Sequence, residues 1–361
     1  MDRRKLAVAI AGALSFPGAA LAQTSVSISG YIKMAVERVK LGNSARPNAS
    51  EGRVVDENSR IIFQMVEDLG GGNQAIAQLD WRVTPDVGTD TASGNSWVGL
   101  RGKAWGQFVI GRSDLHYNNS TSEISSKASY KGNIIAILTY AGSGAQAIAN
   151  DTRTPNVYKY DSPDWSGFKV TAAVSTSPNG PEADIGSTMR HGVGYNVAPT
   201  FTAANWGAGY SYWKSKADAF TVPDQRGDRV WGYFTWGGFK LGLNYDRSKL
   251  TDAFGVTTSK RTAWSPTLRY FTAPHNFYLE YAKAKDDKAT AVSDGAYMIS
   301  GGYAYDLSKR TSVGISYVIV KNDPGAVYNV YGGGGGYAST NAAPLPGEDP
   351  RVWSLAVRHA F

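Results

Sequence analysis

Large apolar side chains alternate with small or polar ones along most of this chain, and the last eleven residues, Arg351–Phe361, give the clearest example. One face of this segment carries Trp353, Leu355, Val357, His359 and Phe361. A period of two predicts a β-strand whose two faces meet different surroundings. In water, a final strand ending on an exposed Phe would invite edge-to-edge association. In an outer membrane the same strand closes a barrel, with its apolar face against lipid and Phe361 at the interface.

The alternation continues through the chain and predicts sixteen strands. Strand one covers about Val26–Leu41, strand two Val55–Leu69 and strand three Gln74–Thr84, and strand sixteen is the C-terminal segment. Short turns rich in Gly, Pro, Asn and Asp alternate with long polar connections. The predicted turns lie at 70–73, 104–106, 162–167, Pro199, 237–238, 273–274 and 306–309. An even strand number, with short turns at one end and long loops at the other, predicts an all-β, 16-stranded antiparallel transmembrane β-barrel.

Aromatic residues cluster beside these short turns, as expected of side chains at a membrane interface. The set is Trp105, Trp165, Phe168, Phe201, Trp206, Trp236, Phe239, Phe271, Phe277 and Tyr305.

The connection over about 113–156 is unusually long, and loops beyond about 12–15 residues are uncommon unless they are functional or disordered. It contains the apolar stretch Ile134–Leu138, which is poorly suited to water. A 16-stranded barrel is wide enough for an aqueous channel. We therefore predict a constriction loop folded into the pore, the alternative being a loop folded over the barrel mouth.

The N-terminal segment reads as an export signal. Arg3, Arg4 and Lys5 precede a short apolar stretch, and residues 20–22 form an A-x-A cleavage site. We expect residues 1–22 to be a secretory signal peptide and residues 23–361 to be the barrel domain. Because the protein is exported and its cations are dispersed, the net charge of +7 does not favour nucleic acid as a partner. The chain has no Cys and four unpaired His, so thiolate chemistry is excluded and we expect no metal and no cofactor.

Cations outnumber carboxylates at the positions predicted to face the lumen. The basic wall of the constriction is expected to contain Lys33, Arg60, Arg82, Arg101, Arg112 and Arg358. The loop supplies the acids Asp114, Glu123 and Asp151, expected to face that wall across the water gap. A surplus of Lys or Arg in a pore favours anions. The alternative for each residue is an ion pair that merely solvates the lumen.

Two rival functions stay open. A substrate-specific channel for phosphate, a sugar or an organic acid could use Tyr31, Trp231 and Tyr233 as an inward stacking track. An outer-membrane hydrolase needs a nucleophile beside His or carboxylates, and His116 near Asp114 is the only suggestive pair. Because no motif aims a nucleophile at that pair, we expect a protein that is not an enzyme.

Six short segments, in order along the chain, carry a family resemblance: 67–72 (EDLGGG), 97–102 (WVGLRG), 110–112 (IGR), 160–163 (YDSP), 307–311 (LSKRT) and 357–361 (VRHAF). Together they resemble the general porins of Gram-negative outer membranes, most closely the trimeric sixteen-stranded type of β-proteobacteria. The resemblance implies an outer-membrane homotrimer with water-filled pores, a third outer loop folded into each barrel, and passive diffusion of small hydrophilic solutes and ions.

The resemblance also implies several partners. They are outer-membrane lipid and lipopolysaccharide, small anionic or polar solutes, and the barrel-assembly machinery, which would recognise Phe361.

Two positions depart from the family pattern. Lys33 replaces an Asp often found after Gly-x-x, which is expected to add a positive charge to the lumen, and Ile62 makes strand two more apolar than usual.

Overall fold

Strands dominate the computed structural model of the chain, which describes residues 25–115, 134–138, 153–178, 180, 182, 192–216, 223–330 and 344–361. One helical turn, α1 (Ile135–Leu138), lies between the strands. Within these ranges no helix is long and apolar enough to cross a membrane. The strand segments are β1 (Ser25–Gly42), β2 (Ser50–Asp56), β3 (Arg60–Gly70), β4 (Asn73–Thr84), β5 (Thr89–Thr91), β6 (Ser96–Gly102), β7 (Gly106–Asp114), β8 (Arg153–Asp161), β9 (Phe168–Ser175), β10 (Val193–Thr202), β11 (Trp206–Lys216), β12 (Asp224–Trp236), β13 (Phe239–Thr251), β14 (Thr257–Thr272), β15 (His275–Ala284), β16 (Ala296–Asp306), β17 (Thr311–Asn322) and β18 (Asp349–Ala360).

These eighteen segments form sixteen barrel strands. Both β2 and β3 pair with β1, and both β5 and β6 pair with β4, so each of these two pairs of segments forms a single interrupted barrel strand. Every neighbouring pair is antiparallel, and β18 pairs with β1 from Tyr31↔Ala360 to Gly42↔Asp349. The predicted 16-stranded antiparallel barrel, closed by the C-terminal strand, is confirmed.

Two predicted boundaries are wrong. The second barrel strand begins earlier than Val55 and is interrupted at 57–59, because the Asp56 carboxylate accepts hydrogen bonds from the backbone amides of Asn58 and Ser59 and turns the chain. Pro199 is not a turn residue but lies inside β10, opposite Val170. The hairpin turn follows at 203–205, where the backbone amide of residue 203 bonds to the carbonyl of Trp206.

Alternation sorts the strand side chains into two environments. The outward face is apolar and exposed, with Leu241, Leu243 and Leu355 between 53 and 61% exposed. A lower aromatic girdle lies beside the short turns and includes Trp165, Trp206, Trp236, Phe239, Phe277 and Tyr305. An upper girdle lies about six residues further along the strands and includes Tyr245, Trp264, Tyr281, Tyr317 and Trp353. The apolar surface between the girdles is the part of the barrel that contacts lipid.

The described part of the constriction loop, residues 134–138, lies inside the barrel. The loop leaves the wall at Asp114, the end of β7, and returns at Arg153, the start of β8. Between these points Ile134, Ile137 and Leu138 are fully buried against inward side chains of β14–β16, among them Ala263 and Met298. Because β7 is the fifth barrel strand and β14–β16 are the twelfth to fourteenth, the loop reaches the wall half a circumference away. The prediction that the loop folds into the pore is confirmed.

On the long-loop side, Glu348 connects the loop after β1 to the loop before β18. Its carboxylate accepts a hydrogen bond from the Ser44 hydroxyl and a second from the amide of Leu345 at 2.7 Å. It also forms an ion pair with Arg46 at 2.9 Å. Burial acts to raise the pKa of Glu348, but the hydrogen bonds from Ser44 and Leu345 and the charge of Arg46 outweigh it and lower the pKa. Ionised Glu348 therefore holds these two loops together.

Candidate functional site

Five arginines lie close together on the inner wall formed by β18, β3, β4, β7 and β8, and we call them the arginine cluster: Arg358, Arg60, Arg82, Arg112 and Arg153. Register brings them together, because Arg60 is opposite Arg82, and Arg358 is opposite Lys33, two residues from Tyr31. The charges of neighbouring members act on each other, from Arg358 through Arg60 and Arg82 to Arg153 and Arg112. A continuous positive surface results.

Tyr31 organises one end of this cluster. It points inward from β1, between β18 and β3, and its ring lies between two guanidinium groups. Cζ of Arg358 is 4.4 Å from the ring centroid and Cζ of Arg60 is 5.1 Å from it. An aromatic face attracts a cation without neutralising it. Tyr31 thus fixes two like charges near one another and leaves their charge available to the lumen.

Carboxylates compensate only part of the cluster. Asp80 pairs with Arg82 at 2.8 Å, and Asp114 pairs with Arg153 at 3.3 Å. Asp114 also accepts a hydrogen bond from Asn95 at 2.7 Å. Within the described part of the chain, Arg60, Arg112 and Arg358 form no ion pair with a carboxylate, so only two of the five guanidinium groups are paired.

The structure distributes the predicted site residues over three places. Arg60, Arg82, Arg112 and Arg358 belong to the cluster. Asp114 lies within the basic wall, beside Arg153, and not across the gap from it. Arg101 lies at the lower mouth, where its guanidinium group donates two hydrogen bonds to Gln74 at 2.6 and 3.0 Å. Glu123 and Asp151 lie outside the described residues.

Lys33 is buried apart from the lumen. Its side chain is 5% exposed, and its Nζ atom is 2.6 Å from Glu57, which also accepts a weak hydrogen bond from Ser354 at 3.3 Å. The interruption at 57–59 is what directs Glu57 toward Lys33. The extra positive charge expected from Lys33 is therefore compensated locally.

The far wall holds the constriction loop through buried charges. Arg261 donates hydrogen bonds to the backbone carbonyls of Ile137 and Leu138 at the end of α1. Its guanidinium group lies 3.7 Å from Asp246, which also pairs with Arg229 at 2.9 Å. Arg229, Asp246 and Arg261 are each at most 2% exposed. Arg261 is an anchor for the loop and not a lumen cation.

Sequence reasoning missed Arg153, Glu57 and Arg261. Arg153 lay inside the predicted loop, and Glu57 lay inside the predicted second strand, so neither was assigned a place beside its partner. Arg261 occupies an inward position of β14, between the inward residues Ser259 and Ala263. The signal for Arg261 was this alternation, which marks an inward charge but does not reveal that a loop covers it.

The residues of the stacking-track hypothesis do not form one surface. Tyr31 is part of the arginine cluster, whereas Trp231 and Tyr233 lie on β12 with ring centroids 6.4 Å apart. The Trp231 side chain is buried, at 3% exposure, and the Nζ of Lys240 lies 4.2 Å from the Tyr233 centroid. His116, the only suggestive residue for hydrolysis, lies outside the described residues.

A closed antiparallel barrel with an apolar outer band, a loop across its lumen and a charged inner wall defines an outer-membrane channel. A family model described as Gram-negative porin matches residues 7–325, and the chain belongs to that family. The protein is therefore an outer-membrane porin that forms a water-filled channel for small hydrophilic solutes.

Several known proteins are similar to this chain. Major outer membrane protein P.IB of Neisseria meningitidis serogroup B is 27% identical over 316 residues, covering 84% of this chain and 89% of the relative. Outer membrane porin protein 32 of Delftia acidovorans is 25% identical over 370 residues and covers both chains completely. The solved anion-selective porin from Comamonas acidovorans superimposes with a TM-score of 0.74 at 22% identity, over 94% of this chain and 100% of that one, which shows a shared fold.

Proposed function

We propose that this porin is a passive diffusion channel that prefers anions and has no enzymatic activity. The observation that carries the preference is the arginine cluster, in which Arg60, Arg112 and Arg358 form no ion pair with a carboxylate among the described residues. Fixed positive charge beside a narrow aqueous path raises the local concentration of anions and lowers that of cations. One similar solved porin is described as anion-selective, which agrees with this reading.

The test is the reversal potential of the purified porin in planar bilayers under a KCl gradient. At about 8 Å in water, each unit charge contributes about 0.5 kcal/mol to an ion. The double variant R60Q/R358Q therefore removes about 1 kcal/mol, which corresponds to about a fivefold loss of local chloride enrichment. The measurement belongs at low ionic strength, because salt screens these charges over about 10 Å at 0.1 M.

The matched control is R101Q/K103Q, which removes two cations at the lower mouth, away from the cluster. We expect the reversal potential of R60Q/R358Q to move toward zero and that of the control to change much less. A wild-type reversal potential of the cation-selective sign would overturn the anion preference. Equal shifts of the reversal potential in both variants would show that the cluster does not lie at the constriction that determines selectivity.

We also infer a homotrimer exported with a cleavable signal. A similar solved barrel, OmpT of Vibrio cholerae, is described as a trimer and superimposes with a TM-score of 0.65 at 13% identity. Native mass spectrometry of the detergent-extracted protein should give three times the mass of the mature chain. N-terminal sequencing of that chain should begin at Gln23, and a first residue within 1–22 would contradict the proposed cleavage.

A further inference from the structure

The short-turn end of the barrel holds a polar pocket on the inner wall, with a volume of about 810 Å³. It extends from the β3–β4 turn to the end of β10 and lies nearer the short turns than the arginine cluster does. Cavities of about 300–1,000 Å³ are typical of sites that bind small molecules. We call this cavity the lower-mouth pocket, and its charged lining residues are Asp68, Asp161, Asp164, Arg101, Lys103 and Lys169.

Strand register produces a row of polar side chains through this pocket. Adjacent barrel strands contribute to the row, in order, Asp68, Gln74, Arg101, Gln107, Asp161 and Thr171. Each of these residues lies directly opposite the next one, and opposed side chains on adjacent strands are about 5 Å apart. The arginine is therefore flanked by an amide on each side and, one strand further, by a carboxylate on each side.

Arg101 leans toward Asp68 without pairing with it. The Nε and Nη2 atoms of Arg101 donate hydrogen bonds to the amide oxygen of Gln74 at 3.0 and 2.6 Å, which directs the guanidinium group from β6 toward β4 and β3. Asp68 accepts a hydrogen bond from the backbone amide of Gly70 at 2.9 Å through its Oδ1 atom. Within the described part of the chain, Arg101, Lys103 and Asp68 form no ion pair. A cation and a carboxylate thus face the lumen with one neutral amide between them.

The opposite side of the pocket is compensated within the wall. Asp161 pairs with Lys159 at 3.0 Å and accepts a hydrogen bond from the Thr171 hydroxyl at 2.6 Å. Asp164 pairs with Lys169 at 3.2 Å. The charges left open to a solute are therefore those on β3 and in the β6–β7 hairpin.

We propose that the lower-mouth pocket binds zwitterionic α-amino acids, with the solute carboxylate on Arg101 and Lys103 and the solute ammonium group on Asp68. The carboxylates and cations of the lining are equal in number, unlike those of the arginine cluster, so the pocket does not favour simple anions. The gap that the Gln74 amide leaves between Arg101 and Asp68 suits a solute that carries both charged groups on the same carbon atom. Passive diffusion requires no such site, and the anion preference does not supply one, because a zwitterion has no net charge.

The experiment measures the current through the purified full-length porin in planar bilayers during titration with L-alanine at neutral pH. Parallel titrations use N-acetyl-L-alanine, which lacks the ammonium group, and L-alanine amide, which lacks the carboxylate. The variant D68N/R101Q removes both proposed contacts. The matched control is E67Q/R310Q, which also removes one carboxylate and one cation on the short-turn side, but outside the pocket. Both variants keep the net charge of the chain.

We expect L-alanine to reduce the wild-type current at a lower half-blocking concentration than either analogue. An exposed charge pair contributes up to about a fivefold gain in affinity, so D68N/R101Q should raise the half-blocking concentration of L-alanine on the order of tenfold. E67Q/R310Q should leave it unchanged. Because Asp68 and Arg101 are exposed, D68N/R101Q should fold and conduct KCl nearly as the wild type does, and the single variant R101Q should give an intermediate half-blocking concentration.

An unchanged half-blocking concentration of L-alanine in D68N/R101Q or in R101Q would overturn the proposal. Equal block of the wild type by L-alanine and both analogues would also overturn it, since the two charged groups of the solute would not be recognised together. The variant R60Q/R358Q separates this site from the anion preference. It should weaken block by N-acetyl-L-alanine and not block by L-alanine, and the reverse result would assign amino-acid binding to the arginine cluster.

Discussion

Arg261 decides how firmly the constriction loop is held across the lumen, and replacing it tests that arrangement. The variant R261M keeps most of the side-chain volume but removes the donors to the carbonyls of Ile137 and Leu138. Hydrogen bonds that involve a charged group contribute about 1.5–3 kcal/mol each, so the variant loses about 3–6 kcal/mol of loop attachment. Asp246 keeps its 2.9 Å pair with Arg229, so no buried carboxylate is left without a cation.

The loop keeps a second attachment, the burial of Ile134, Ile137 and Leu138. Each fully buried side chain of this size contributes about 1.5–3 kcal/mol, giving about 4.5–9 kcal/mol for the three. R261M alone should therefore leave the loop in place for most of the time but shorten each period of attachment. Adding I137S reduces the apolar attachment as well, and the double variant should hold the loop poorly.

Single-channel recording in planar bilayers measures both effects. R261M should show increased open-channel noise at nearly unchanged mean conductance, and R261M/I137S should show a higher mean conductance because the loop no longer narrows the pore. The matched control is K260M, at the adjacent exposed position on the outward face of the same strand. If R261M and R261M/I137S both record like the wild type while remaining fully folded, the loop is not held by these contacts and the reasoning is refuted.

Three further predictions concern the loops and the closure of the barrel. The pKa of Glu348 is lowered in the folded protein, so ionised Glu348 stabilises the folded state above about pH 4.5. This stabilisation is lost as the pH falls through the folded-state pKa. Acid should therefore expose the loops around Arg46 and Glu348 to protease. E348Q should be equally protease-sensitive at neutral and acid pH, and a wild-type pH response in E348Q would contradict this. Deleting Phe361 should reduce the amount of heat-stable trimer in the outer membrane far more than the conductance of the molecules that do assemble. G30A should also lower the folded yield, because a Cβ there would lie 2.2 Å from the carbonyl oxygen of Arg60, and a normal yield would show that β1 can move away from β3.

Alternation along the sequence was sufficient to predict the strand number and the two faces of each strand. Trp353 and Leu355 are outward and Arg358 is inward as the period of two required, because a pleated strand offers a side chain only two directions. Turn residues such as Gly237 and Gly238 also gave correct hairpin positions.

Contacts between strands were beyond such reasoning. The pairing of Lys33 with Glu57 depends on an interruption that two backbone hydrogen bonds to the Asp56 carboxylate create. Asp114 meets Arg153 only because β7 and β8 have one particular register. A period of two specifies the face of a strand but not the residue opposite it. The composition of the wall was therefore predictable, whereas its charge compensation was not.

The pairing of β1 with β18 determines when the chain can form a pore in the outer membrane. The two ends of the described chain are neighbours in the wall, so the hole is bounded only when the final twelve-residue strand has been added. A nascent or truncated polypeptide that lacks it exposes two unpaired edges and cannot insert as a complete cylinder. A prematurely terminated chain therefore cannot form the closed wall that an open pore requires.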